Sequence, residues 1–118
     1  MDIQDALIAF DALSQETRLR AFRLLVEYGT QGAAAGQLSA ALGVPHNTLS
    51  FHLSHMNNAG LVLSRREGRS VVYSINIDVF QDLIRFMVED CCREDAHDQG
   101  DQQSVCADID LSGLEKCC

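Results

Sequence analysis

Two groups of residues in this chain have types and spacing suited to chemistry. Five cysteines stand at positions 91, 92, 106, 117 and 118, with none among the first ninety residues. An odd number gathered at one end of a chain is poor material for a disulfide framework, so it points to thiolate ligation or redox chemistry. The second group is basic. Between residues 44 and 73, Arg65, Arg66 and Arg69 are opposed by a single acid, Glu67, and are joined by His46, His52 and His55. The chain as a whole carries −8, but residues 74–118 hold eleven acids against three bases and residues 1–43 carry −2. The acidity therefore belongs to the carboxyl-terminal third. Only the middle block has the sign needed to approach a phosphate backbone.

The elements that must position these residues are legible from periodicity. A chain of 118 residues suits one domain with a modest core. It has no run of roughly 18 apolar residues that would span a bilayer. Its first residues, Met1-Asp2-Ile3-Gln4-Asp5, are acidic rather than the basic start of a secretory signal, so a cytoplasmic protein without membrane contact is expected. Ile3, Leu7 and Phe10 recur at helical spacing over residues 2–13. Ser14 is a suitable cap for a second helix, about Gln15–Tyr28, whose expected buried stripe is Leu19, Phe22, Leu25 and Val26. Residues 30–34 read as a loop. Helices then follow over about Ala35–Leu42 and Pro45–Ala59, separated by Gly43, with Leu49, Leu53 and Met56 inward; together they form a helix-turn-helix pattern. Runs at 61–66 and 69–75 around Glu67-Gly68 predict a β-hairpin, which directly after such a helix is a wing. A last helix spans about Ile77–Asp90, with Ile77, Phe80, Ile84 and Met87 in line.

The expected fold is thus mainly α with a small β-hairpin wing, a winged helix-turn-helix over residues 1–92. Residues 93–118 are polar and acidic without sustained periodicity, and read as a mobile cysteine-containing tail. The apolar stripes of the first and last helices exceed what one small domain can cover. Pairing them across a two-fold axis predicts a homodimer that reads a symmetric operator.

At this point a family comes into view. Leu42-Gly43-Val44-Pro45-His46-Asn47-Thr48-Leu49-Ser50-Phe51-His52-Leu53, followed by Asn58-Ala59-Gly60-Leu61-Val62, resembles the recognition segment of the ArsR/SmtB metalloregulators. Arg65-Arg66-Glu67-Gly68-Arg69 with Tyr73-Ser74-Ile75 is similar to that family's wing, and residues 10–20 to the start of its second helix. The likeness covers roughly residues 5–92. It implies a homodimeric repressor of operator DNA that is released by a toxic metal or metalloid. The family's Cys-x-Cys arsenic box before the turn is missing, because residues 35–42 contain no cysteine. Its zinc site on the last helix is missing too, because residues 80–90 contain no histidine. Glu89-Asp90-Cys91-Cys92 instead resembles a branch of arsenic regulators with a vicinal cysteine pair closing the last helix.

For DNA, the amino-terminal side chains of a helix in the major groove meet base edges. Asn47, Thr48 and Ser50 are short hydrogen-bonding candidates for base or phosphate contacts. Phe51 can touch a thymine methyl or belong to the core. His52 and His55 can donate to phosphate, and His52 can equally be a partly buried packing residue. Arg65, Arg66 and Arg69 flank the wing turn within reach of a phosphate or the minor groove.

For the inducer, the resemblance implies As(III) or Sb(III) bound by Cys91, Cys92 and Cys106, with no organic cofactor. Such thiophilic ions prefer three thiolate sulfurs over the oxygen donors that suit magnesium or calcium. Adjacent cysteines in a regular helix point about 100° apart, so chelation needs a frayed helix end. Thirteen residues separate Cys106 from Cys92, a loop that closes at modest entropic cost. Alternatives on the same scaffold are a thiol redox switch and a Zn, Cd or Pb sensor drawing on His97. A thiol enzyme fits worst, since acids around Cys91 oppose thiolate formation.

Overall fold

The computed structural model describes residues 1–89. Asp2 opens the first helix, α1 (Ile3–Leu13), with a reciprocal cap: its Oδ1 accepts from the Asp5 amide at 2.8 Å, while its own amide donates to Asp5 Oδ2 at 3.2 Å. Ala6, Ala9 and Ala12 form the buried face of α1. Ile3, Leu7 and Phe10 stay 59%, 54% and 41% exposed in the single chain.

Helix α2 (Glu16–Tyr28) is capped by Gln15, whose side-chain oxygen accepts from the Arg18 amide at 2.8 Å. Ser14, the expected cap, instead closes α1, its amide bonding the Asp11 carbonyl. Phe22 and Leu25 are buried as expected, and Val26 packs partly against the core. Leu19 departs from the expectation at 46% exposed. It sits three residues before Phe22, on the flank of α2 rather than over the core.

The segment read as a loop after α2 is more ordered than its sequence suggests. A single 3-10 turn, Gly29–Gln31, leads into strand β1 (Ala33–Ala34). Gly32 makes this possible: its φ is 72°, and a Cβ there would collide with the Tyr73 carbonyl. β1 pairs antiparallel with β3 (Ser70–Ile75), which pairs in turn with β2 (Val62–Glu67), giving the sheet order β1-β3-β2. The hairpin register sets Val62 opposite Ile75 and Glu67 opposite Ser70. Its two-residue turn is therefore Gly68-Arg69, one residue later than expected.

Helices α3 (Ala35–Leu42) and α4 (His46–Asn58) make the helix-turn-helix. Gly43 takes the left-handed conformation at φ 66°, where its amide reaches the Ser39 carbonyl. Ser39 holds the other side of the turn, its Oγ donating to the Val44 carbonyl at 2.6 Å. Leu38, Leu49, Leu53, Met56 and Leu61 are fully buried and form the centre of the core with Leu25 and Val62. Helix α5 (Ile77–Val88) begins at Asn76, whose side chain caps the Val79 amide and donates to the Gly60 carbonyl at 3.0 Å. That hydrogen bond ties the start of α5 to the turn that follows α4. Phe80 packs edge-on against Phe22, with ring centroids 5.3 Å apart, and Leu83 is buried. Among the described residues no helix is long and apolar enough to cross a membrane.

Candidate nucleic-acid interface

Helix α4 is anchored by Leu49, Leu53 and Met56, so its opposite face is set by the 3.6-residue period. Asn47, Phe51, Ser54 and Asn58 lie on that face and are all exposed. Phe51 is 68% exposed, which excludes it from the core of this chain. An aromatic ring this open, flanked by small polar residues, is suited to apolar contact with a thymine methyl. Thr48 is also exposed, and Ser50 is half-buried beside the wing. Ser54 and His46, both exposed on α4, join this set. Their signal in the sequence was the helical spacing itself, since Ser54 stands seven residues after Asn47 and His46 directly precedes it.

The two remaining histidines of α4 turn elsewhere. His52 Nδ1 meets Arg18 Nη1 of α2 at 3.1 Å, and Arg18 Nε donates to the Ala12 carbonyl at 2.6 Å. One guanidinium thus connects the end of α1 to the flank of α4. Burial, then the neighbouring Arg18 charge, then His55, hold the His52 imidazole below its ordinary pKa. A neutral ring accepting from arginine is a packing residue, and His52 lies off the outward face. His55 Nε2 lies 3.6 Å from Asp11 Oδ2 of α1, which directs it toward α1.

The wing arginines also differ among themselves. Arg65 is engaged: its Nε bonds Glu67 Oε1 at 2.9 Å and its Nη2 bonds the Gln31 carbonyl at 2.7 Å. It braces the wing against the turn before β1. Arg66 and Arg69 form no ion pair or hydrogen bond among the described residues and are exposed. Between the wing, α3 and α4 lies a cleft of about 330 Å³, lined among others by Gly36, His46, Ser50, Arg69 and Tyr73. An exposed polar helix face beside a hairpin with unpaired arginines is the arrangement that enters a major groove while gripping its backbone.

Comparison with known proteins agrees with this geometry. Residues 13–65 match a family described as a helix-turn-helix domain. Over 80 residues the chain is 30% identical to the uncharacterized HTH-type transcriptional regulator YceK of Bacillus subtilis, covering 68% of this chain and 79% of that one. An ArsR-like transcriptional regulator from Rhodococcus sp. RHA1 superposes with a TM-score of 0.67 at 26% identity, covering 80% of this chain and 86% of that one. The chain belongs to the HTH-type transcriptional regulators, and its winged helix-turn-helix resembles that of an ArsR-like member. A solution structure from Mycobacterium bovis, described as the homodimeric winged helix-turn-helix DNA-binding domain of a possible ArsR-family regulator, superposes with a TM-score of 0.60 at 27% identity. It covers 86% of this chain and 88% of that one. The arsenic resistance transcriptional regulator ArsR2 of Pseudomonas putida is 36% identical over 67 residues, covering 57% of this chain and 56% of that protein.

As an HTH-type transcriptional regulator, the chain is a DNA-binding protein rather than an enzyme. The cysteines read from the sequence as inducer ligands, Cys91, Cys92 and Cys106, lie outside the described residues, as do Cys117, Cys118 and the whole of 93–118. Among the described residues, no three His, Cys, Asp or Glu side chains converge as a metal site.

Proposed function

We propose that this regulator is a homodimeric ArsR-family repressor that leaves its operator when As(III) or Sb(III) is captured by Cys91, Cys92 and Cys106. The observation that carries the dimer is the uncovered stripe of Ile3, Leu7 and Phe10 on α1, which packs beside α5. Large apolar side chains left in water on a helix whose inner face is only alanine call for a partner surface. Joining two copies there sets two α4 helices on one side of the assembly, ready for half-sites about 34 Å apart. In each copy, Asn47, Thr48, Ser50, Phe51 and Ser54 meet base edges or the adjacent backbone, while Arg66 and Arg69 reach phosphates.

The inducer acts on the same helices. α5 ends at Val88, three residues before Cys91, so thiolate capture there alters the helix that packs beside α1. Binding must favour the arrangement that no longer spans two successive grooves, because equal affinity for both arrangements shifts nothing. A coupling of about 1–3 kcal/mol corresponds to roughly 5- to 150-fold in operator affinity. The likeness to a regulator named for arsenic resistance supports this choice of inducer.

The test is operator-duplex anisotropy titrated with As(III), Zn(II), Cd(II) and peroxide, on wild type and on Cys91→Ser, Cys92→Ser and Cys106→Ser. Release by As(III) that each serine substitution weakens is the expected result. If As(III) leaves the complex intact, or all three variants respond as wild type does, the inducer assignment is wrong. Release by peroxide alone would transfer the reading to a thiol redox switch, and release by Zn(II) or Cd(II) alone to a divalent-metal sensor.

A further inference from the structure

The cleft between wing and recognition helix has a composition that neither surface explains alone. Three separate elements supply its walls: the first turn of α3 through Gly36, the start of α4 through His46 and Ser50, and the wing through Arg69, Ser70 and Tyr73. Arg69 brings a guanidinium with no partner among the described residues. Hydroxyls on Ser50, Ser70 and Tyr73 and the His46 ring add groups able to donate to an oxyanion. Among the described residues no carboxylate lines this space, although the chain has almost twice as many acids as bases. At about 330 Å³ the cleft has ample room for a tetrahedral phosphate. Gly36 leaves one wall open: a Cβ built there meets nothing within 4 Å, and its backbone is ordinary helix.

We propose that this cleft seats one phosphodiester of the operator backbone, gripped at once by α3, α4 and the wing. The inference rests on the DNA-binding reading and goes further, because it makes a single phosphate the part that locks the wing to the recognition helix. The wing is otherwise braced along β2 by Arg65 on the Gln31 carbonyl, and Arg69 at its turn has no partner among the described residues. A phosphate held by Arg69 and Ser50 together fixes the distance between hairpin and helix. Asn47 and Phe51 are thereby registered against the base edges. Gly36 is the permissive residue on this proposal: it borders the cleft without a side chain, and a large one added there would compete with the phosphate for room.

The experiment compares full-length wild type, Gly36→Ala, Gly36→Leu and Ser50→Ala by duplex anisotropy from low to moderate salt. Gly36→Ala is expected to bind within about twofold of wild type. Gly36→Leu is expected to lose tenfold or more, with an unchanged urea midpoint and a salt slope shallower by about 1.8, the value for one lost phosphate contact in each protomer of the dimer. A methylphosphonate scan of the operator then identifies the position. One neutralised phosphate per half-site should weaken wild type about tenfold and leave Gly36→Leu no weaker than before. Gly36→Leu binding as wild type does, or losses that simply add at every position, would overturn the cleft. A wild type that binds no duplex at all would instead sink the DNA reading on which the cleft depends. Inorganic phosphate separates the two sources of the same chemistry. Amide shifts at Gly36 and Ser70 at sub-millimolar phosphate, with duplex binding indifferent to Gly36→Leu, would make this a free-anion site and overturn the backbone assignment.

Discussion

Helices α1 and α4 are built on opposite plans. α4 buries Leu49, Leu53 and Met56 and shows solvent Asn47, Ser54 and Asn58. α1 buries Ala6, Ala9 and Ala12 and shows solvent Ile3, Leu7 and Phe10. The first plan is that of a helix whose core is complete within one chain, leaving its polar face for a ligand. The second is that of a helix that needs close approach on one side and a second apolar layer on the other. Phe51 marks the one place where α4 departs from its own plan, and it does so in the middle of the face assigned to DNA. On the function proposed above, the contrast separates the reading of DNA from assembly and gives the two tasks to different helices of the same small fold.

Substitutions that respect or break this contrast should behave differently. Leu49→Ala should have the largest effect, lowering the stability of each protomer by about 2–5 kcal/mol through lost burial and an unfilled cavity. Urea denaturation measures it; a change under 1 kcal/mol would mean that α4 is not seated as described. Leu7→Asp should leave the protomer folded, with a wild-type circular dichroism spectrum, but abolish the dimer. About 1.5–3 kcal/mol of side-chain burial is lost from each copy. Sedimentation equilibrium decides the point, and an intact dimer would remove α1 from the interface.

Smaller effects sharpen the distinction within the wing. Arg69→Ala should weaken operator binding severalfold and reduce the salt slope by about 1.8, one phosphate contact for each protomer of the dimer. Arg65→Ala, which cuts a brace rather than a free cation, should lower affinity with less change in slope. Equal slopes for the two variants would erase the difference between an engaged and an available arginine.

The smallest effect concerns His52. Its folded pKa lies below the ordinary value of 6.5, first through burial and then through Arg18 and His55. The unfolded chain therefore takes up the proton first as pH falls. The contribution is fully present above about pH 6.5, declines as pH drops through that value toward the folded pKa, and stays lost below it. Urea midpoints at pH 7.5 and 5.5 should show a smaller acid-side loss for His52→Gln than for wild type. An identical loss in both would leave the Arg18–His52 contact without energetic weight.

Much of this was legible in the order of residues. The spacing of Leu49, Leu53 and Met56, the glycine at 43 and the paired runs around Gly68 carry a helix-turn-helix and a hairpin through local rules alone. The same is true of the net-basic middle block, which is a property of composition. Ser54 was equally available from helical spacing. Local rules misplace the cap of α2 by one residue, because Ser14 and Gln15 both offer an acceptor and only the backbone path out of α1 selects Gln15. They also misjudge Leu19, whose apolar side chain matches the period but stays 46% exposed on the flank of α2.

What only the tertiary structure decided has a common cause: contacts between residues distant in sequence. A two-residue strand such as β1 has too few hydrogen bonds to form by propensity, and it exists because Tyr73 and Val72 of β3 pair with it. His52 and Arg65 each have an obvious charge-based role when read locally. Each instead meets a partner 34 residues away, Arg18 and the Gln31 carbonyl respectively. Periodicity and turn chemistry, which act within a few residues, were settled by the sequence itself. Which cations remain free for DNA, and which walls close around a phosphate-sized space, depended on how α2, α3 and the wing come together.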